Sequence, residues 1–412
     1  MKGKMTPTII AIIITAISTA VVFVNLHHNS ANITHPNNFS TSQQTTSLTT
    51  TIRPGNSSKV LCTQNDSKVS DPSAPHGLYV LYPYANYNNQ QYKSAIERYL
   101  ITNNSLVCGA VFFIRWADVD KGPNAFQQYN FSLIDNQIQP WINAGKIVNL
   151  DVWGVDYAAG TNGTTPQYVL NQINTVHCAG AKNQTLPIYW EPGYMDNYEQ
   201  LIKAIVQHYQ NNSAIGYIRF GIGVGGEDLP ASNIGSQQCL QAFEQYNYSG
   251  GLWINYSRNI INYVASLKSR KQMMVSMNLL PANSKNTTTA DAVAAAAVPL
   301  GIGLGTQGLQ ISDISNYNQN IPCSGNWCKN FGEYSGKVPL ELQTLEASCV
   351  SNNCQTGSLN NLIPFAIGLH AQIFEIYWED WLSAYDPNYT NYTPTYAATF
   401  EYAANVVGYS KV

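Results

Sequence analysis

Carboxylates and indoles recur together along this chain. Arg115, Trp116 and Asp118 close one apolar run, and Asp151 and Trp153 lie at the end of the next. Gly225, Gly226, Glu227 and Asp228 close a third, and Glu341 and Gln343 sit in a fourth, with Glu346 just beyond. Glu375, Trp378, Glu379, Asp380 and Trp381 finish the last. Charged residues make up only 11% of the 412, against about 25% in an average soluble protein, so acids gathered this way are not a solvated face. An acid on a buried strand has to be paired or functional. The chemistry that uses two carboxyl groups beside aromatic platforms is glycoside hydrolysis, with one carboxyl protonated and the other ionised across the scissile bond. Trp116, Trp153, Trp190, Trp378 and Trp381 are the candidate platforms for the apolar faces of sugar rings.

Glu227 stands out as the proton donor. It follows Gly221-Ile-Gly-Val-Gly-Gly226, where small residues let a ligand approach the backbone. Its expected partner is Glu341, which shares a strand face with Gln343 by the period of two; Glu346 is the rival. Arg115, Trp116, Asp151, Trp153, Gln343, Trp378, Glu379 and Trp381 are the expected substrate contacts. Such hydrolysis requires no metal and no organic cofactor. The competing account of any single acid is a structural ion-pair network at the mouth of the fold.

These residues need a scaffold that brings strand ends together. From residue 75 onward, short apolar runs alternate with segments of helical period, eight times over. The predicted strands are Gly77–Tyr84, Val107–Asp118, Lys146–Val155, Ile215–Gly225, Gln272–Leu280, Ile302–Leu309, Val338–Thr344 and Gln372–Trp378. The predicted helices include Ser132–Ala144, Tyr194–Gln210, Trp253–Leu267, Ala290–Val298, Leu359–Ala371 and Tyr396–Val407. Continuous apolar strands separated by helices imply a parallel sheet, and eight units imply a closed (β/α)8 barrel over residues 75–412. An open doubly wound sheet is the alternative, but no glycine-rich phosphate loop follows the first strand. In the barrel, the strand ends named above form the mouth where active sites sit.

The N-terminus bears on compartment. Lys2 and Lys4 precede an uncharged run from Ile9 to Val24, which predicts an export signal or a membrane anchor within residues 1–28. Residues 29–74 are rich in Ser, Thr and Asn and predict a polar stalk. Asn-x-Ser/Thr sequons recur, including those at Asn32, Asn56, Asn130, Asn162, Asn183, Asn247, Asn255, Asn388 and Asn391. Eight cysteines form an even set, as in an oxidising, extracellular setting. Cys323, Cys328, Cys349 and Cys354 form two Cys-x4-Cys pairs, read as two disulfides within or between these segments rather than as a zinc site. The pairing of Cys62, Cys108, Cys178 and Cys239 stays open. A net charge of −3 with no basic run argues against nucleic acid as a partner. The scarcity of charge also suits a protein working in acid.

Phe113-Ile-Arg-Trp-Ala-Asp118, Tyr129-Asn-Phe-Ser-Leu-Ile-Asp135 and Trp141-Ile-Asn-Ala-Gly-Lys146 together resemble a segment of the retaining glycoside hydrolase clan that includes β-galactosidases and cellulases. The resemblance extends more weakly over most of residues 77–409. It implies a (β/α)8 barrel, an acid/base Glu after the fourth strand at Glu227, a nucleophile Glu on the seventh strand at Glu341, and an oligo- or polysaccharide substrate. Two departures stand out: the clan's Asn-Glu is Gly226-Glu227 here, and the seventh strand has no Glu at its very end. The missing Asn shifts substrate orientation to Arg115 or Gln343. The departures also motivate a second expectation, a non-catalytic carbohydrate-binding barrel on the cell surface.

Overall fold

The computed structural model describes residues 75–82, 90–179, 183–278, 289–320, 323, 327–349 and 354–407. The expected membrane segment and stalk, residues 1–74, lie outside them. Among the described residues no helix is long and apolar enough to cross a membrane.

Eight parallel strands close a barrel: β1 (Gly77–Tyr82), β2 (Val107–Arg115), β3 (Ile147–Trp153), β6 (Ile215–Phe220), β7 (Gln272–Met277), β8 (Gly303–Leu309), β9 (Leu340–Thr344) and β10 (Ile373–Tyr377). β10 pairs with β1, which leaves no edge. Each strand lies within the run predicted for it. The remaining strands, β4 (Thr175–Cys178) and β5 (Gln184–Pro187), form an antiparallel hairpin between β3 and β6 that the sequence pattern did not reveal.

Side chains alternate across each strand. In β1, Leu78 and Val80 face the helices, whereas Tyr79 and Leu81 face inward with Val111, Phe113, Tyr217, Met274 and Ile373. The outward faces are covered by helices that include Ser132–Asn143, Pro192–Tyr209, Gly250–Ser266, Thr289–Ala297, Leu359–Gly368 and Thr395–Val407. Both strand faces are therefore buried, which is why the strands read as unbroken apolar runs.

One layer of the interior breaks this apolar rule. Asp151, Arg219, Glu341 and Glu375 are fully or almost fully buried inside the barrel. Gly305 of β8 makes room for them, because a Cβ there would collide with the Glu341 carboxylate. Three disulfides occur among the described residues: Cys178–Cys239, Cys323–Cys328 and Cys349–Cys354. The two Cys-x4-Cys pairs thus close locally, each within its own segment. Among the described residues no cluster of side chains fits a metal ion.

Candidate active site

A cleft of about 370 Å³ opens where the barrel strands end. Phe113, Trp153, Gln307, Gln343 and Tyr377 line it from β2, β3, β8, β9 and β10, and Asn278 lines it from just beyond β7. The loop after β6 supplies Gly225, Glu227, Leu229, Ala231 and Ser232. This is the C-terminal mouth, where a parallel barrel gathers side chains from every strand.

The loop that carries Glu227 is tied down along its length. Gly223 N–H donates to the Glu227 carbonyl at 2.7 Å, Val224 N–H to the Leu229 carbonyl at 2.9 Å, and Gly225 N–H to the Val155 carbonyl at 2.9 Å. Buried rings brace it from behind. Tyr198 donates to the Gly221 carbonyl at 2.7 Å, Tyr256 to the Ile222 carbonyl at 2.9 Å and Trp253 to the Asp228 carbonyl at 2.8 Å. Gly225 and Gly226 adopt φ of 62° and 79°, a region glycine enters without penalty. Gly226 also passes close to Trp153 and Asp151, leaving little space for a side chain.

Glu227 is only 6% exposed, and what it shows faces the cleft. Asn278 donates from Nδ2 to Glu227 Oε2 at 2.6 Å, and its backbone N–H donates to the Asp228 carboxylate. One residue thus fixes two neighbouring acids. Burial holds the Asp228 carboxyl well above the usual carboxylate range. The aromatic wall beside Glu227 consists of Trp153, stacked on Phe113 with ring centroids 4.5 Å apart, together with Tyr157 and Tyr377.

Glu341 sits elsewhere. Its Oε2 lies 2.7 Å from Arg219 Nη1, which also holds Glu375 at 3.0 Å, while Arg219 Nη2 holds Asp151 at 2.8 Å. Tyr217 donates its hydroxyl to Glu375. Three carboxyl groups around one guanidinium, all away from water, cannot all be ionised without an uncompensated buried charge. Burial and the adjacent Glu375 accordingly push the Glu341 carboxyl well up, against the opposing pull of Arg219, and burial also raises Glu375. Gln343 links the two layers: it lines the cleft, and its Oε1 accepts from Arg219 Nη2 at 3.3 Å. Glu341 does not line the cleft. The competing structural account, an ion-pair network, describes Glu341, Glu375 and Asp151.

The other expected contacts divide in the same way. Trp153 and Gln343 line the cleft. Asp151 lies one step behind it, accepting from Trp153 Nε1 at 2.8 Å and orienting that ring. Arg115 pairs with Asp118 at 3.1 Å and is not among the lining residues. Trp116, Trp378 and Trp381 correct the expectation of sugar platforms, because their rings are spent on the core. Trp116 is buried against Tyr194 and Tyr198 and donates to Asp120 at 2.9 Å. Trp378 packs on Tyr92 at 4.7 Å, and Trp381 on Phe400 at 4.4 Å. Trp190 packs among Phe243 and Tyr248 and donates to the Tyr246 carbonyl. Each follows a strand but turns outward into the helical layer. Glu379 is also outside the lining, and burial pushes its carboxyl up to about 7. Glu346 is exposed beyond the cleft-lining Leu345.

Asn278, Tyr157, Gln307 and Tyr377 line the cleft as well, and none of them is an acid or an indole. Asn278 and Gln307 were nonetheless legible as polar residues near the ends of apolar strand runs.

No family model and no curated protein matches this sequence. Similar solved structures include the catalytic domain of a β-amylase from Paenibacillus polymyxa, at 12% identity and a TM-score of 0.48 over 73% of this chain and 91% of that chain. A glycosylated endo-β-1,4-xylanase of glycoside hydrolase family 10 from Gloeophyllum trabeum matches at 12% identity and 0.46, over 81% and 97%. Endo-glycoceramidase II from Rhodococcus sp. matches at 11% and 0.45, over 76% and 75%. Identity at this level bears on fold alone, and none of the three reaches a TM-score of 0.5. The barrel assignment rests on the strand pairing described above.

Proposed function

We propose that this protein is an extracytoplasmic glycoside hydrolase that takes an oligo- or polysaccharide into the cleft at the barrel mouth, with Glu227 as the proton donor to the leaving oxygen. The observation that carries this reading is the seating of Glu227. Its carboxyl faces the cleft, a 2.6 Å hydrogen bond from Asn278 aims it, and Trp153, Tyr157 and Tyr377 stand beside it. A partly desolvated carboxyl beside aromatic walls is the arrangement that protonates a glycosidic oxygen. Neither a metal nor an organic cofactor enters this chemistry.

Retention through Glu341 as nucleophile is the other half of the two-carboxylate scheme. It requires Glu341 to leave Arg219 and pass Gln343 to reach a sugar, so the geometry supports Glu227 more directly than it supports the pair. The same enclosure of Glu341 favours a second reading, a carbohydrate-binding barrel without turnover. The extracytoplasmic setting is supported by the disulfides and by nine sequon asparagines among the described residues, all of them exposed. Membrane attachment through residues 1–28 belongs to the same proposal.

The test is to incubate wild type and Glu227→Gln with a panel of oligosaccharides and to measure both binding and release of reducing ends. Turnover by wild type alone, with binding by both, supports the hydrolase. Binding without turnover by either protein supports the carbohydrate-binding barrel and removes the hydrolase.

A further inference from the structure

The cleft has one carboxylate and a neutral polar wall. Glu227 is the only acid among its described lining residues. Other acids near the strand ends lie elsewhere. Asp151, Glu341 and Glu375 are held by Arg219, Asp228 is fully buried, and Glu346 and Glu379 do not line the cleft. The undescribed segments 83–89 and 279–288, which follow β1 and β7, contain no Asp or Glu. Among its described lining residues, a glycosidase built this way has a proton donor and no second carboxylate to serve as nucleophile.

The wall supplies something else. Gln307 of β8 lines the cleft at 8% exposure, and its Nε2 has no hydrogen-bond partner. A buried, unpartnered amide donor is costly, so such a group at a cleft wall points to a ligand acceptor that completes it. Gln343 and Asn278 add further carboxamides to the same wall.

We infer that the substrate is a glycoside of a 2-acetamido sugar, whose own acetamido oxygen takes the place of the missing nucleophile while Gln307 donates to that acetamido group. This inference rests on the hydrolase reading above. In the first step the protonated Glu227 gives its proton to the glycosidic oxygen. The bond from C1 to that oxygen breaks with its electron pair leaving on the alcohol, and the acetamido oxygen bonds to C1 to form a cyclic oxazolinium. The cation and the Glu227 carboxylate form together as a neutral pair. In the second step water adds to C1, Glu227 takes its proton, and the C1 bond to the acetamido oxygen breaks to restore the amide. Two displacements at C1 give net retention, with water as the only co-reactant.

The experiment compares 4-methylumbelliferyl glycosides of N-acetylglucosamine and N-acetylgalactosamine, in both anomers, with their 2-hydroxy counterparts. The thiazoline of N-acetylglucosamine, a mimic of the cyclised intermediate, serves as a binding probe. The expected result is at least a hundredfold preference in kcat/KM for an acetamido substrate and a raised Tm with the thiazoline. Gln307→Met, close in shape but without the donor, is expected to lower that kcat/KM tenfold or more and to weaken the thiazoline. Comparable or faster turnover of 2-hydroxy glycosides overturns the inference and leaves the hydrolase reading intact. Full retention of acetamido turnover and thiazoline binding by Gln307→Met removes Gln307 from the proposal. If no glycoside or oligosaccharide is bound or cleaved, the hydrolase reading and the inference fall together.

Discussion

Arg219 Nη1 lies 2.7 Å from Glu341 Oε2, and both side chains are sealed inside the barrel. This contact separates the two acids that a two-carboxylate mechanism would join. Glu227 belongs to the cleft, and Glu341 belongs to the interior that supports it. Arg219 also reaches Asp151, which orients Trp153, and Gln343, which lines the cleft, so the cage is the platform on which the wall of the site stands.

Arg219→Leu is expected to destabilise the fold by about 3–5 kcal/mol near neutral pH, because it strands carboxyl groups without their cation. The loss is expected to shrink near pH 4, where Glu341 and Glu375, both raised by burial, already carry protons. Urea denaturation at the two pH values measures the difference. An equal loss at both would mean that Arg219 acts through its volume rather than its charge.

Stability is expected to be greatest in acid. Burial pushes the carboxyls of Glu379 and Asp380 up to about 7, and those of Asp228, Glu341 and Glu375 are raised as well. A carboxyl whose pKa is higher in the folded chain than in the unfolded one holds its proton more tightly when folded. Its contribution is complete below the unfolded value near 4 and is lost as pH rises through about 7. For Asp380 alone this amounts to roughly 4 kcal/mol. Tm measured from pH 4 to pH 8 should fall steadily; a maximum at pH 7 or above would contradict this account.

Gly226→Ala is expected to cost about 1–2 kcal/mol and to reduce turnover more than tenfold. Its φ of 79° disfavours a side chain, and a Cβ would lie 2.9 Å from Trp153 Nε1 and 3.1 Å from Asp151 Oδ1. Thermal unfolding and kcat together check it. A stable variant of full activity would show that the loop relaxes without moving Glu227.

The Cys178–Cys239 disulfide ties the β4–β5 hairpin to the helix Gln237–Glu244 and closes a loop of 61 residues. Replacing both cysteines by serine should cost about 4 kcal/mol if the loop-entropy account holds. The hairpin also braces the Glu227 loop, with Ser232 donating to Gln184 at 2.7 Å. Urea denaturation should therefore detect the loss, and limited proteolysis should find new cleavage near β4.

The barrel was legible because a parallel sheet buries both faces of each strand, and runs such as Val107–Arg115 carry that pressure openly. The strand ends were less so. Trp116 and Trp378 follow strands immediately, yet each begins a short helix, the second of which also carries Trp381, and the helical turn takes the indoles into the outer layer. Period-two reasoning does not extend past the strand. The depth of Glu341 was hidden for a related reason: side chains two apart share a face, but only closure of the barrel shows that Gln343 reaches the cleft and Glu341 the layer beneath. Arg219 is not legible in the sequence because its partners lie on three strands distant from it. The β4–β5 hairpin was illegible because its strands are four residues long and mostly polar.

The most direct test of Glu227 as proton donor varies the leaving group. Wild type and Glu227→Gln are compared on one glycone carrying either a sugar, which needs protonation to depart, or 2,4-dinitrophenolate, which does not. The account predicts a loss of about 10²–10⁴ in kcat/KM for the sugar leaving group and little loss for dinitrophenolate. An equal loss on both, or none on either, would contradict it.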